Sequence, residues 1–417
     1  MKATCHRRPD CRLCGSTDLA DAFKLTPTPL ANAFVSRPRL AEADPVYPLE
    51  VALCRSCGHV QLRDVVEPGA LFENYLYVSG TSPSFVQHFE CYANDLARRY
   101  RPAPGSLIVD VGSNDGTLLR FFKDLGFRVL GIDPAREIAR AASQAGIETL
   151  PGFLTPELAA RIVRERGQCA LVTANNVFAH VDDIASFLRS IRTLLSPEGL
   201  FAFEVSYLAD VYEKCLFDTV YHEHLDYHSV APLVPFFARE GMELIHVDRV
   251  ATHGGSIRGI VQHVRAGRPV DRSVAELIAH ERSLGLDREP AFAEYSRRIG
   301  RVKAELADLL GRLRAEGATV AGYGAPAKAT TLMYHLGVGP EAVGFIVDDS
   351  PYKQDLYTPG MHIPVLPPSE LAARKPDVLL ILAWNFADAI IAKSQTFLRE
   401  GGRIIVPLPE VRLISGP

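Results

Sequence analysis

The sequence predicts an α/β protein in three parts: a small cysteine-rich N-terminal domain followed by two Rossmann-like units. Three observations carry this. Two Cys-x-x-Cys pairs lie within the first 57 residues, short apolar strands alternate with helical patterns from residue 107, and a second such run begins at residue 319. Strand–helix alternation indicates a parallel sheet covered by helices on both faces. At 417 residues the chain is too long for one ordinary domain. The expected domains are residues 1–72, 73–265 and 266–417.

Composition narrows the class. The chain is 47% hydrophobic and 23% charged, which fits a globular protein, and its formal net charge is -4. That charge gives no support to a nucleic-acid or anionic-membrane partner, since both need a basic face. The first nine residues are polar and basic with no apolar segment behind them, so no secretory leader is expected. No apolar run is long enough to span a bilayer, and the longest candidates, such as residues 378–383, read as buried strands. The expectation is a cytoplasmic protein. Its three-domain layout fits a monomer.

Cys11-Arg-Leu-Cys14 and Cys54-Arg-Ser-Cys57 each hold two thiolates on one tight knuckle, followed by Gly15 and Gly58. Four thiolates suit tetrahedral zinc and leave no open position, so the expected metal is structural Zn2+. Free cysteines in a small core are the alternative, which the doubled spacing disfavours. Cys5, Cys91, Cys169 and Cys215 lack partners at useful spacing and read as buried apolar residues.

In the second unit, residues 84–100 read as a helix and residues 101–105 as a breaker. Strands are expected at 107–111, 128–132, 170–174 and 200–204, and helices at 116–125 and 135–145. Between the first strand and its helix lies Val109-Asp110-Val-Gly112-Ser-Asn114-Asp115-Gly116. Glycines there let backbone approach a ligand at a helix N-terminus. Asp133, closing the next strand, suits ribose hydroxyls. The turn lacks a full GxGxxG, so a dinucleotide or nucleotide-sugar site is the weaker reading. Asn175 and Asn176 end the third of these strands.

Three histidines, two acids and two tyrosines crowd into residues 221–228, Tyr221-His-Glu223-His224-Leu-Asp-Tyr-His. Proton transfer is the favoured reading, because histidine exchanges protons near neutral pH. Zinc binding and a solvated loop are the alternatives; HExxH is absent. His180, just past the strand at 170–174, packs, caps or touches substrate.

A long charged helical stretch, roughly 270–316, precedes the third unit, whose strands are expected at 319–323, 343–347, 378–382 and 403–406. The turn Gly322-Tyr-Gly324-Ala-Pro-Ala-Lys328 follows a strand and opens a helix, so its amides are suited to a diphosphate, with Lys328 adding charge. Lys353 reads equally as a phosphate contact or a solvated lysine. Asn385 is a candidate for the base or ribose; Asp348 and Asp349 for ribose or a loop cap. His253-Gly-Gly-Ser256 lines a sugar pocket or forms a tight turn.

Together these motifs resemble the S-adenosyl-L-methionine-dependent sugar C-methyltransferases of deoxysugar biosynthesis. The likeness covers essentially the whole chain and includes Tyr75-Leu-Tyr77-Val-Ser79-Gly-Thr, the 109–116 turn, residues 175–183, Tyr221 to His224, His253-Gly-Gly-Ser256-Ile-Arg258 and the 322–328 turn. It implies a zinc domain, a class I methyltransferase domain binding the cofactor through Asp110, Gly112, Asn114, Asp115, Asp133 and Asn175, and a C-terminal domain that helps hold a nucleotide-linked sugar. It also implies that His180, Tyr221, Glu223 and His224 form the active site, with His224 as general base. Tyr75 would face the sugar. Where the family often has Gly-Asn-Thr, this chain has Ala329-Thr330-Thr331, which bears on nucleotide contacts. The implied reaction is methylation of C-3 beside a 4-keto group. The competing readings are an O- or N-methyltransferase and a non-catalytic nucleotide-sugar-binding protein.

Overall fold

The computed structural model describes residues 4–73, 78–81 and 83–416. The central sheet has seven strands in the order Met242–Val250, Ser256–His263, Leu195–Ser206, Cys169–Asn175, Leu107–Val111, Arg128–Asp133 and Thr149–Pro151. Only Ser256–His263 runs antiparallel to its neighbours. Leu107–Val111 and Cys169–Asn175 pair in parallel, and from them the chain winds outward in both directions. That reversal opens a crevice at the strands' C-terminal ends. Leu107–Val111 is buried at every position, as expected of a strand covered on both faces.

Helices stand close to their expected places: Pro83–Tyr100, Thr117–Asp124 and Arg136–Gln144. The charged stretch is two helices, Arg272–Leu284 and Glu289–Ala315. Gly285, at φ +68°, caps the first in the left-handed conformation. Arg272–Leu284 packs on Met242–Val250, so the central sheet's covering layer extends past residue 265.

The C-terminal sheet runs Val365–Leu366, Ile346–Val347, Val320–Tyr323, Val378–Ile381, Arg403–Val406 and Arg412–Ser415, parallel except for the last. Its reversal lies at Val320–Tyr323, which aims the 322–328 turn out of that sheet's own crevice.

The N-terminal sheet contains Leu19–Thr28, Tyr47–Cys54 and Val60–Leu62, and a fourth strand from far along the chain, Asp226–Tyr227. The end of the histidine-rich segment is thus part of the cysteine domain. Residue 35 pairs with Tyr357, tying that domain to the C-terminal one. Among the described residues, no helix is long and apolar enough to cross a membrane.

Candidate active site

The sulfurs of Cys11, Cys14, Cys54 and Cys57 lie within 4.8 Å of one another. Gly15 and Gly58, at φ +73° and +78°, turn the two knuckles. Four converging thiols with no further donor in the cluster among the described residues fit structural zinc. Cys169 and Cys215 are buried as expected, but Cys5 and Cys91 are exposed. The first sits on an edge strand and the second on the outer face of its helix.

The glycine-rich turn is built tightly. Gly112 has φ +72°, and a Cβ there would lie 2.3 Å from Val177 Cγ2. Asp133 accepts from the amides of Asn114 and Ala135, both at 2.8 Å, fastening the turn to the second strand. Burial raises the pKa of Asp133, against those two bonds. Asp110 accepts from Thr173 at 2.6 Å, and burial pushes it up to about 7. Asn114 and Asp115 accept from the amides of Ser79 and Gly80, so the 79–80 segment closes on the turn. Both side-chain polar atoms of Asn175 are buried where the crevice opens, with the Tyr92 hydroxyl close by but no well-formed hydrogen bond. Buried unsatisfied groups at such a place fit a polar ligand, as S-adenosylmethionine is.

The segment from residue 218 to 228 divides its labour. His222 and His228 are 1% and 0% exposed and bond the carbonyls of Pro48 and Phe178; they are structural. His224 alone turns to His180: their rings stack with centroids 5.1 Å apart, and the Tyr221 ring lies 4.1 Å from that of His224. His224 Nδ1 lies 2.7 Å from the Thr219 carbonyl, so Nδ1 carries the proton and Nε2 is the basic nitrogen. Burial, reinforced by the charge of Lys328, pushes His224 down to about 4. His180, stacked also on Phe72, is held well below its ordinary value by burial and by His224, and its Nε2 is buried without a partner. Both imidazoles are neutral at pH 7. Glu223 accepts from Asn32 of the N-terminal domain at 2.7 Å.

That domain grips both histidine loops. His59 bonds Asp226 at 2.7 Å, Arg12 donates to the carbonyls of Leu62 and Leu225, and Arg8 and Arg12 both bond Asp182, two residues past His180.

The C-terminal domain supplies the opposite wall. Trp384, the one tryptophan, donates to Asp218, and Lys328 Nζ lies 3.9 Å from the centre of the Trp384 ring. His253, at φ +54°, bonds Asn176 at 3.2 Å; burial and then Lys328 lower it to about 4. Trp384, Asn385, His253 and Phe85 line a cleft of ≈ 490 Å³ between the two larger domains, and Asn385 Oδ1 is buried without a partner. Gly324, at φ +85°, passes so close to Ala383 that a Cβ would lie 2.4 Å from that side chain. Lys353 is no solvated lysine: it donates to the Ala325 carbonyl at 2.8 Å. Thr331 donates to the Val220 carbonyl at 2.8 Å and Thr330 to that of Ala31. The Ala-Thr-Thr departure therefore braces the Tyr221 loop and the N-terminal domain.

Not every expected site residue converges. Arg258 is bonded to Glu204 and lies over the Tyr92 ring, and Ser256 donates to the Thr252 carbonyl. Tyr75 and Tyr77 lie outside the described residues. Thr219 and Trp384 were not legible as site residues. Thr219 acts through its backbone, and Trp384 carried only its place beside Asn385 as a signal.

Comparison with known proteins is consistent along the chain. Residues 11–72 match a family described as "Putative zinc binding domain", residues 86–247 one described as "Methyltransferase domain", and residues 251–409 one described as "C-methyltransferase C-terminal domain". C-methyltransferase NovU of Streptomyces niveus is 39% identical over 406 residues, covering 97% of each chain. A ubiquinone biosynthesis O-methyltransferase of Methylobacterium sp. (strain 4-46) is 36% identical over 122 residues, 26% of this chain and 48% of that one. Among solved structures, PH0226 protein from Pyrococcus horikoshii OT3 covers 45% of this chain and 94% of its own, at 14% identity and a TM-score of 0.36.

Proposed function

Since the chain belongs to the S-adenosylmethionine-dependent C-methyltransferases with a zinc-binding N-terminal domain, we propose that its substrate is a nucleotide-linked 4-keto-deoxysugar and that the methyl goes to C-3. His224 is the base. The observation that carries this reading is the bond from His224 Nδ1 to the Thr219 carbonyl, which leaves Nε2 unprotonated beside His180.

A sugar C–H is not acidic unless a carbonyl adjoins it, and a 4-keto group supplies one for C-3. His224 Nε2 takes the C-3 proton. The C–H electron pair becomes the C-3–C-4 double bond, and the carbonyl pair moves onto oxygen. His180 Nε2, as the N–H tautomer, is suited to donate to that oxygen, and Tyr221 packs on His224 and holds its ring plane. S-adenosylmethionine, when bound, supplies a methyl already activated on sulfonium. The residues that would hold it are those of the 109–116 turn with Asp133 and Asn175. Asn385 and the 322–328 turn are suited to the nucleotide.

The chain's own contribution is then orientation and deprotonation. The test is C-3 hydrogen–deuterium exchange in a panel of nucleotide-linked 4-keto-6-deoxy sugars. His224→Asn should abolish exchange seen with the wild type; undiminished exchange would remove His224 from the role.

A further inference from the structure

Proton removal by a neutral base creates a negative oxygen, and the histidines around it carry no charge of their own at neutral pH. The nearby cations are mostly engaged elsewhere. Arg8 and Arg12 are bonded to Asp182, Arg258 to Glu204 and Lys353 to the Ala325 carbonyl. Lys328 is different. Its ammonium rests on the Trp384 ring at 3.9 Å and has no hydrogen-bond acceptor or ion-pair partner among the described residues. The acid that acts on it is Asp218, whose Oδ2 is taken by Trp384 Nε1. Lys328 opens the helix Ala327–Leu336, and three residues along that helix Thr331 holds the carbonyl just before Tyr221. The same helix therefore carries the ammonium and braces the catalytic loop.

We infer that Lys328 is a catalytic residue: its ammonium donates to the C-4 oxygen of the sugar as that oxygen becomes the enolate oxyanion. This rests on the enolate reading above and moves Lys328 from the diphosphate to the reacting centre. An ammonium withdrawn from water whose facing carboxylate, Asp218, is already bonded to Trp384 is only partly compensated, and a substrate that develops negative charge beside it completes the compensation only as the reaction proceeds. Preorganised donors of this kind stabilise a transition state more than a ground state. Trp384, on which the ammonium rests, lines the cleft and holds Asp218, next to the Thr219 carbonyl that orients His224, so Lys328 lies on the wall shared by base and cleft. As the oxyanion pair re-forms the carbonyl, the C-3–C-4 π pair becomes available to bond the activated methyl that S-adenosylmethionine would supply, its sulfur keeping the pair of the broken bond.

The experiment compares wild type with Lys328→Met on the panel sugar that exchanges fastest at C-3. It measures the exchange rate at saturating sugar by mass spectrometry, and nucleoside-diphosphate and S-adenosylmethionine binding by calorimetry. Lys328→Met should lower saturated exchange by about 100-fold or more and leave nucleoside-diphosphate affinity within about threefold. Lys328→Gln, which keeps a polar but uncharged head, should show the same split and keeps the test decisive should Lys328→Met not fold. The inference is overturned if nucleoside-diphosphate binding weakens at least tenfold while saturated exchange stays near wild type, because Lys328 would then be a phosphate ligand. Absence of exchange in the wild type with every sugar would overturn the enolate reading itself, whereas wild-type exchange with an unimpaired variant overturns only the role of Lys328.

Discussion

His224 donates its Nδ1 proton to the backbone carbonyl of Thr219 at 2.7 Å. That carbonyl belongs to the turn Phe217–Thr219, and Asp218 within the turn is held by Trp384 of the C-terminal domain. The tautomer of the proposed base is thus set by a main-chain atom whose position depends on a second domain.

His224→Asn should lower turnover by about 10²–10⁴-fold, the range for loss of a general base. S-adenosylmethionine affinity should stay within about threefold, since the bonds that fix the 109–116 turn run to Ser79, Gly80 and Asp133 and do not pass through His224. Single-turnover kinetics and calorimetry check the two halves.

The acid limb of kcat/KM should lie near pH 4, well below the ordinary histidine value of about 6.5. Burial pushes His224 down to about 4, so its base form persists throughout the neutral range. A limb near 6.5 would mean that the base sits in water.

Stability should fall as pH drops from about 6.5 to 4. His222 and His228 are buried with pKa values pushed down to about 4 by desolvation. Across that window the unfolded chain binds protons that the folded chain refuses, which favours unfolding. Each contributes on the order of 3 kcal/mol, readable as lower urea midpoints at pH 5 than at pH 7.

Removing zinc should lower activity more than cofactor binding. The strand Asp226–Tyr227 pairs with Val60–Leu62, directly after the second cysteine knuckle. Cys54→Ser should lose zinc and reduce kcat at least tenfold, while S-adenosylmethionine still binds. Asp226→Ala, which leaves the buried His59 without its hydrogen-bond partner, should destabilise by roughly 1–3 kcal/mol.

Thr331→Val keeps the shape and deletes the bond to the Val220 carbonyl. The expected loss of stability is about 1 kcal/mol. The expected fall in kcat is several-fold, with nucleoside-diphosphate affinity unchanged. A change in that affinity alone would return this segment to the nucleotide.

What was legible in the sequence was local. The cysteine knuckles and the turn from Val109 to Asp133 each fall within a few dozen residues, where spacing and strand–turn–helix order are sufficient. The density of residues 221–228 was legible too, but not its division of labour. Which histidine turns to His180 depends on contacts with Pro48, Phe178 and Thr219, and only the last is close in sequence. The pairing of Asp226–Tyr227 with the cysteine domain spans some 165 residues and two short strands, so no periodicity announces it. Arg258 and Lys328 illustrate the same limit in opposite senses. An arginine beside a glycine turn met a buried glutamate one strand away, and a lysine read beside phosphate came to rest on a tryptophan.

The most direct test is the product itself. The enzyme, S-adenosylmethionine and the panel of nucleotide-linked 4-keto-6-deoxy sugars are incubated in deuterated water and analysed by mass spectrometry and NMR. One added methyl, bonded to the ring carbon beside the ketone, is the expected result. A methyl on oxygen or nitrogen would contradict the enolate chemistry and the role of His224.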